Sequence, residues 1–151
     1  MPSLSLTLNV EPWTCERLQK NNKNLNKLHI FFYYWFPIFI YCLLIFIQSS
    51  YPSIKSVPEL PYIDKVLHFF AYALLGALFV RAFKTTRIKN KLKLVLILSV
   101  LLSSLYGISD EIHQYFVPYR SADHTDVLAD MLGGIMGVYI YQAIARKISA
   151  G

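Results

Sequence analysis

The sequence predicts an all-α membrane protein, a bundle of four transmembrane helices with both termini in the cytoplasm. Three observations predict it. The hydrophobic fraction is 55% and the charged fraction only 16%. Four separate stretches are long and apolar enough to cross a bilayer. Lys and Arg gather in the segments between those stretches. Soluble domains are about a quarter charged, and a chain of 151 residues has too little interior to hide so many apolar side chains from water. The net charge of +6 would suit nucleic acid. Cations placed in short connections between apolar runs set membrane topology instead, so the expected partner is the lipid bilayer, with no nucleic acid.

The first span is Ile30 to Ile47, a run without a charge and rich in aromatics, in which Pro37 is expected to introduce a kink. The second runs from about Pro61 to Phe83, opened by a proline suited to a first helical turn. The third runs from Leu92 to Glu111 and the fourth from Asp126 to Ala145. The first span starts too late, and lacks a following small-residue cleavage site, to be a signal peptide. Residues 1–29 form a polar tail expected to be poorly ordered, and residues 30–147 form the membrane domain. Cys15 and Cys42 have no metal-type spacing, and one lies in the tail while the other lies in a span, so no pairing is expected.

Twelve of the fifteen Lys and Arg fall on one side. They are Arg17, Lys20, Lys23 and Lys27 before span one; Arg81, Lys84, Arg87, Lys89, Lys91 and Lys93 around the second connection; and Arg146 and Lys147 at the end. Only Lys55, Lys65 and Arg120 fall on the other. The basic side is therefore cytoplasmic, and the loops Gln48 to Leu60 and Ile112 to Thr125 face outward.

That orientation collects the polar chemistry at one level. Asp64, His68 and Tyr72 are four apart and share a helix face. Each step of four is about 6 Å along the axis, so His68 lies below the surface and Tyr72 deeper. Asp126 and Asp130 repeat the spacing on span four, and Ser104, Gly107 and Glu111 line a small, polar stripe on span three. Asp110, His113, Gln114, Asp123 and His124 belong to the same layer. Ionisable groups inside a membrane are costly, face the bundle interior and pair with one another. Arg120 is the cation expected to meet Glu111, Asp126 and Asp130, its planar fork suiting a carboxylate or phosphate. Some of these acids have plain structural uses: Asp123 or Thr125 would cap span four, and Asp64 and Asp126 would complement helix dipoles. Below the cluster, Ala129, Gly133 and Gly137 repeat at four-residue spacing, with Ala73 and Ala77 the expected counterpart on span two.

The stretch DEIHQYFVPYRSADHTDVLADMLGGIMG, residues 110–137, resembles the signature of the VanZ-like membrane proteins. Its elements are Glu111, Gln114, Arg120, Asp126, Asp130, Gly133 and Gly137. DKVLHFFAYALLGAL, with Asp64, Lys65, His68 and Tyr72, resembles the family's early helix. The likeness runs from Pro61 to Tyr141; the first span fits by position and the tail does not fit. Asp130 stands where many members carry Asn. The resemblance implies a multi-pass protein of the bacterial cytoplasmic membrane, with no established reaction. The name-giving member is associated with resistance to the glycopeptide antibiotic teicoplanin.

The expected function is a cell-envelope protein that binds an anionic ligand, lipid-linked or a peptidoglycan precursor, through Arg120, Gln114, Asp126, Asp64 and Tyr72. A catalytic alternative uses Glu111 or Asp130 as base and His68 as acid, with Arg120 as clamp. A third places Asp64, His68, Glu111 and Asp130 around a metal, but the spacing fixes no ligand set, so no metal or cofactor is assigned. The balance leans away from an enzyme. Transport is disfavoured because the middles of the spans carry no charge. A structural accessory subunit and self-association into a homo-oligomer complete the alternatives.

Overall fold

A computed structural model describes residues 22–51, 63–118 and 123–151. Among them are four helices long and apolar enough to cross a membrane: α1 (Asn22–Ser50), α2 (Ile63–Phe83), α3 (Leu92–Phe116) and α4 (His124–Ala150). The protein is all-helical in its described parts, as the hydropathy pattern predicts. The surface is inverted relative to a water-soluble protein. Phe39, Phe70, Leu132 and Ile148 are exposed, whereas Ser99, Ser103, Gln114, Asp126 and Asp130 are buried. Lipid accepts the first set at no cost, and the second must find partners inside the bundle.

The helix ends differ from the expected boundaries for local reasons. Helix α1 reaches back to Asn22, so residues 22–29, assigned to the tail, are helical. It widens into a π-helical segment at Phe31–Trp35, where the Phe36 N–H donates to Phe31 O. Pro37 supplies no N–H, and its ring crowds the carbonyl four residues back; a wider turn just before it relieves that clash. Helix α3 continues to Phe116 instead of stopping at Glu111, which carries His113 and Gln114 on the helix rather than in a loop. It ends where Pro118 forces its predecessor out of the helical region: Val117 has φ −83° and ψ 123°. Helix α4 starts two residues early, capped by Asp123, whose side chain accepts from the Thr125 N–H at 2.9 Å.

Helices α2 and α4 make the closest pairing in the bundle. A Cβ placed on Gly137 would fall on the Ala73 carbonyl, and one on Gly133 would fall on that of Phe69. Neither position leaves room for any other residue, so the small-residue repeat of α4 is a seam within one chain. Ala73 is the counterpart as expected, joined by Phe69 rather than Ala77. Helix α3 lies against both, with Val80, Val95 and Val138 fully buried between them. Helix α1 leans on this three-helix unit through Ile38, and through Tyr41 and Tyr106 hydroxyls that donate to Ala71 O at 3.1 Å and Cys42 O at 2.6 Å.

The antiparallel order puts the end of α1, the start of α2, the end of α3 and the start of α4 together. This end holds the acids. The opposite end holds Arg81, Lys84, Arg146 and Lys147, with the Arg81 guanidinium 4.6 Å from the Tyr33 ring centroid and 4.9 Å from that of Tyr34.

Substituting Gly137→Ala should therefore destabilise the protein by about 1–3 kcal/mol, the usual penalty for overpacking. Leu132→Ala, on the exposed surface, should cost no more than about 0.5 kcal/mol. Unfolding midpoints of the two variants in one detergent make the comparison; equal stability would contradict the seam.

Candidate functional site

The seam determines what meets at the acidic end. Asp64, His68 and Tyr72 point along one face of α2, and Asp126 and Asp130 along one face of α4. Close approach of the two backbones brings the faces together. His68 Nδ1 lies 2.9 Å from Asp130 Oδ1. Asp130 is fully buried and His68 only 8% exposed. The third wall is α3, where Gly107 makes the space: a Cβ there would stand 2.7 Å from Asp130 Oδ2. Asp130 thus occupies the volume that a side chain at position 107 would fill.

Lys65 closes the cluster toward the loops. Its Nζ donates to Asp123 Oδ2 at 2.7 Å and to Asp126 Oδ1 at 3.0 Å. The sequence reading missed this residue as a site member and looked to Arg120, which lies outside the described residues. The overlooked signal was periodicity: Lys65 precedes His68 by three, so it shares the face that α4 covers. The Lys65 ammonium, followed by the Thr125 N–H, holds the Asp123 carboxyl well below the usual carboxylate range. Among the described residues, Lys65 pairs with Asp123 and Asp126 and not with Glu111. Glu111 Oε1 accepts from the Asp123 N–H, pinning the start of α4 to α3.

The acids outnumber their partners. Asp110 Oδ2 accepts from Gln114 Nε2 at 3.1 Å. Its other oxygen is also buried, and among the described residues Glu111 Oε2 and Asp130 Oδ2 have no hydrogen-bond partner. Buried polar atoms are nearly always paired, so these carboxylate oxygens stand out within the bundle.

A cavity of about 400 Å³ opens beside the cluster, between α1, α2 and α3. Leu44, Ile45, Ile47, Leu67 and Ala71 form its apolar wall. Gln48, Ser49, Asp64, His68, Tyr72, Asp110 and Gln114 are its polar lining. Helix α1, which the sequence treats as an anchor, supplies half of the lining. The stacked His68 and Tyr72 rings, 6.3 Å apart and 4° from parallel, give the cavity a flat aromatic edge. Of the expected ligand-binding residues, Asp64, Tyr72 and Gln114 line this cavity. Asp126 is not part of the lining and is bonded to Lys65. Of the expected catalytic residues, only His68 reaches the cavity. Asp130 and Glu111 stand behind it.

The model of the VanZ/LLP1 family matches residues 4–146. This chain belongs to that family. The match takes in span one and most of the tail, beyond the stretch from Pro61 to Tyr141 that carries the visible motifs. An uncharacterized protein of Schizosaccharomyces pombe is 33% identical over 96 residues. The aligned part is 64% of this chain and 55% of that protein, so the chain spans about half the length of the curated relative it matches. A fungal relative means that a bacterial source does not follow from resemblance to VanZ-like proteins. No solved structure matches the chain significantly.

The Lys65–Asp123 pair has a pH signature. A carboxyl held down in the folded state contributes stability that is complete above its unfolded value, about 3.9. That contribution is lost as pH falls through the lower folded value. Asp123→Asn keeps a capping side chain but removes the charge. It should lower the melting temperature at pH 6, by an amount that shrinks as the pH falls toward 2. Melting curves between pH 2 and 7 read the difference; a deficit of equal size at every pH would contradict the ion pair.

Proposed function

We propose that this VanZ/LLP1 protein holds an amphiphile in the cavity between α1, α2 and α3, with its chain along the aliphatic wall and its head group among the polar residues. The cavity itself carries the reading: its lining combines aliphatic side chains with Asp64, His68, Tyr72, Asp110 and Gln114. Lipid-linked ligands have that combination, and a water-soluble metabolite would leave the wall unused. An anionic head group, such as a lipid-linked phosphate, would draw its counter-charge from Arg120, in the connection between α3 and α4. By the Lys and Arg bias this end faces away from the cytoplasm. In a bacterium that is the extracytoplasmic leaflet of the cytoplasmic membrane, where cell-envelope precursors are carried. The link to teicoplanin resistance comes with the family and no described residue is specific for a glycopeptide.

The His68–Asp130 pair supports a second reading, an enzyme acting on the same amphiphile. A carboxylate holding one ring nitrogen sets the other to take a proton from a nucleophile. In that case Asp130 positions His68 and Glu111 positions the α3–α4 connection.

Labelling of the purified protein with a photoactivatable polyprenyl phosphate tests the first reading. Adducts should concentrate on the α1 segment Leu44–Ser49, and Leu44→Trp, which fills the cavity, should reduce them at least tenfold. Labelling spread evenly over the lipid-facing surface, and unchanged by the tryptophan, would contradict it.

A further inference from the structure

We propose that Asp64, His68 and Asp126 bind one divalent first-row transition-metal ion at the acidic end of the bundle. One ligand atom from each of the three lies within 4.8 Å of the others. Ligands around a tetrahedral ion at about 2.1 Å stand roughly 3.4 Å apart, so closing on an ion asks for a movement of about an ångström. Asp64, exposed on the first turn of α2, is free to make it.

The surroundings of His68 supply the independent argument. Asp130 takes its Nδ1 at 2.9 Å, which fixes the ring and leaves Nε2 as the ligand atom. A carboxylate on the far nitrogen is the usual outer support of a metal-bound imidazole. The imidazole is 8% exposed, lines the cavity, and has no second hydrogen-bond partner among the described residues. The neighbouring charges favour a cation. Glu111 is within electrostatic reach of His68, Asp126 and Asp130. The Lys65 ammonium is the opposing charge, bonded to one oxygen of Asp126.

The three ligands and the supporting Asp130 form two i,i+4 pairs, Asp64 with His68 on α2 and Asp126 with Asp130 on α4, held in register by the glycine seam. Sites on rigid helices hold geometry better than sites on loops. The sequence concealed this ligand set because it is split between distant helices. Asp130 and Glu111, the other candidates on sequence grounds, stand outside it. One imidazole with two carboxylates selects zinc, manganese, cobalt or iron over calcium and magnesium, which take oxygen ligands. The ion would also give an acidic cavity the positive charge that an anionic head group needs. The site does not rest on that ligand, and its test uses metal alone.

Full-length protein in detergent, stripped with a chelator and titrated with Co²⁺ and Zn²⁺, provides the test. Wild type should bind one ion per chain, with Co²⁺ giving visible d–d bands and excess Ca²⁺ failing to compete. Asp64→Asn, at an exposed position, should weaken binding at least tenfold. Asp130→Asn should weaken it about 10- to 100-fold through the histidine. Helical circular dichroism and elution volume verify that both variants are folded. Binding far below one ion per chain in wild type would overturn the proposal. So would wild-type affinity in both variants. Photolabelling by the polyprenyl phosphate in chelator-stripped protein separates failure of the metal site from failure of the amphiphile reading.

Discussion

The contact between the backbones of α2 and α4 governs the rest of the structure. Gly133 and Gly137 let α4 sit on the carbonyls of Phe69 and Ala73, and nothing larger fits. That approach does two things at once. It supplies van der Waals packing where lipid gives helices no hydrophobic reason to associate. It also brings Asp130 within 2.9 Å of His68, so that a carboxylate with no exposed surface has a partner. A bundle whose seam did not close would leave that carboxylate stranded, at a cost of several kcal/mol. Packing and polar chemistry are therefore one feature.

The bilayer explains why the polar groups gather at one end. Over the middle of the helices, exposed aliphatic and aromatic side chains meet lipid and the interior is closed by Leu75, Val80, Val95 and Val138. Charges are affordable only near the interface, where Lys65 and Asp123 still reach water, and the deeper His68 and Asp130 depend on each other. The cavity sits at this transition. Its lining mixes aliphatic and polar side chains.

Much of this was legible in the sequence, and the limits have physical causes. Helix number, order and approximate span follow from apolar length. The α2 face of Asp64, His68 and Tyr72, and the α4 face of Asp126, Asp130 and the glycines, follow from four-residue spacing. Sequence periodicity states which residues share a face but not which faces meet. Ala73 was readable as part of the seam, whereas Phe69 was not, because it is the Phe69 backbone that Gly133 touches. The spacing of Lys65 from His68 puts it on the covered face of α2, but periodicity does not name its partners Asp123 and Asp126, 58 and 61 positions away. The end of α3 was placed early because its polar last turn, with His113 and Gln114, looks like a loop until Pro118 is recognised as the element that stops the helix. The contribution of α1 to the cavity has no sequence signal, because Leu44, Ile45 and Ile47 are equally suited to face lipid.

The central claim is that a charged Asp130 carboxylate organises His68 across the seam. The protonation of the two His68 ring nitrogens, read from their ¹⁵N shifts in protein reconstituted into lipid bilayers, tests it most directly. The account predicts that Nδ1 carries the proton and that its shift moves on Asp130→Asn. A bare Nδ1 with Nε2 protonated, unmoved by that substitution, would contradict it.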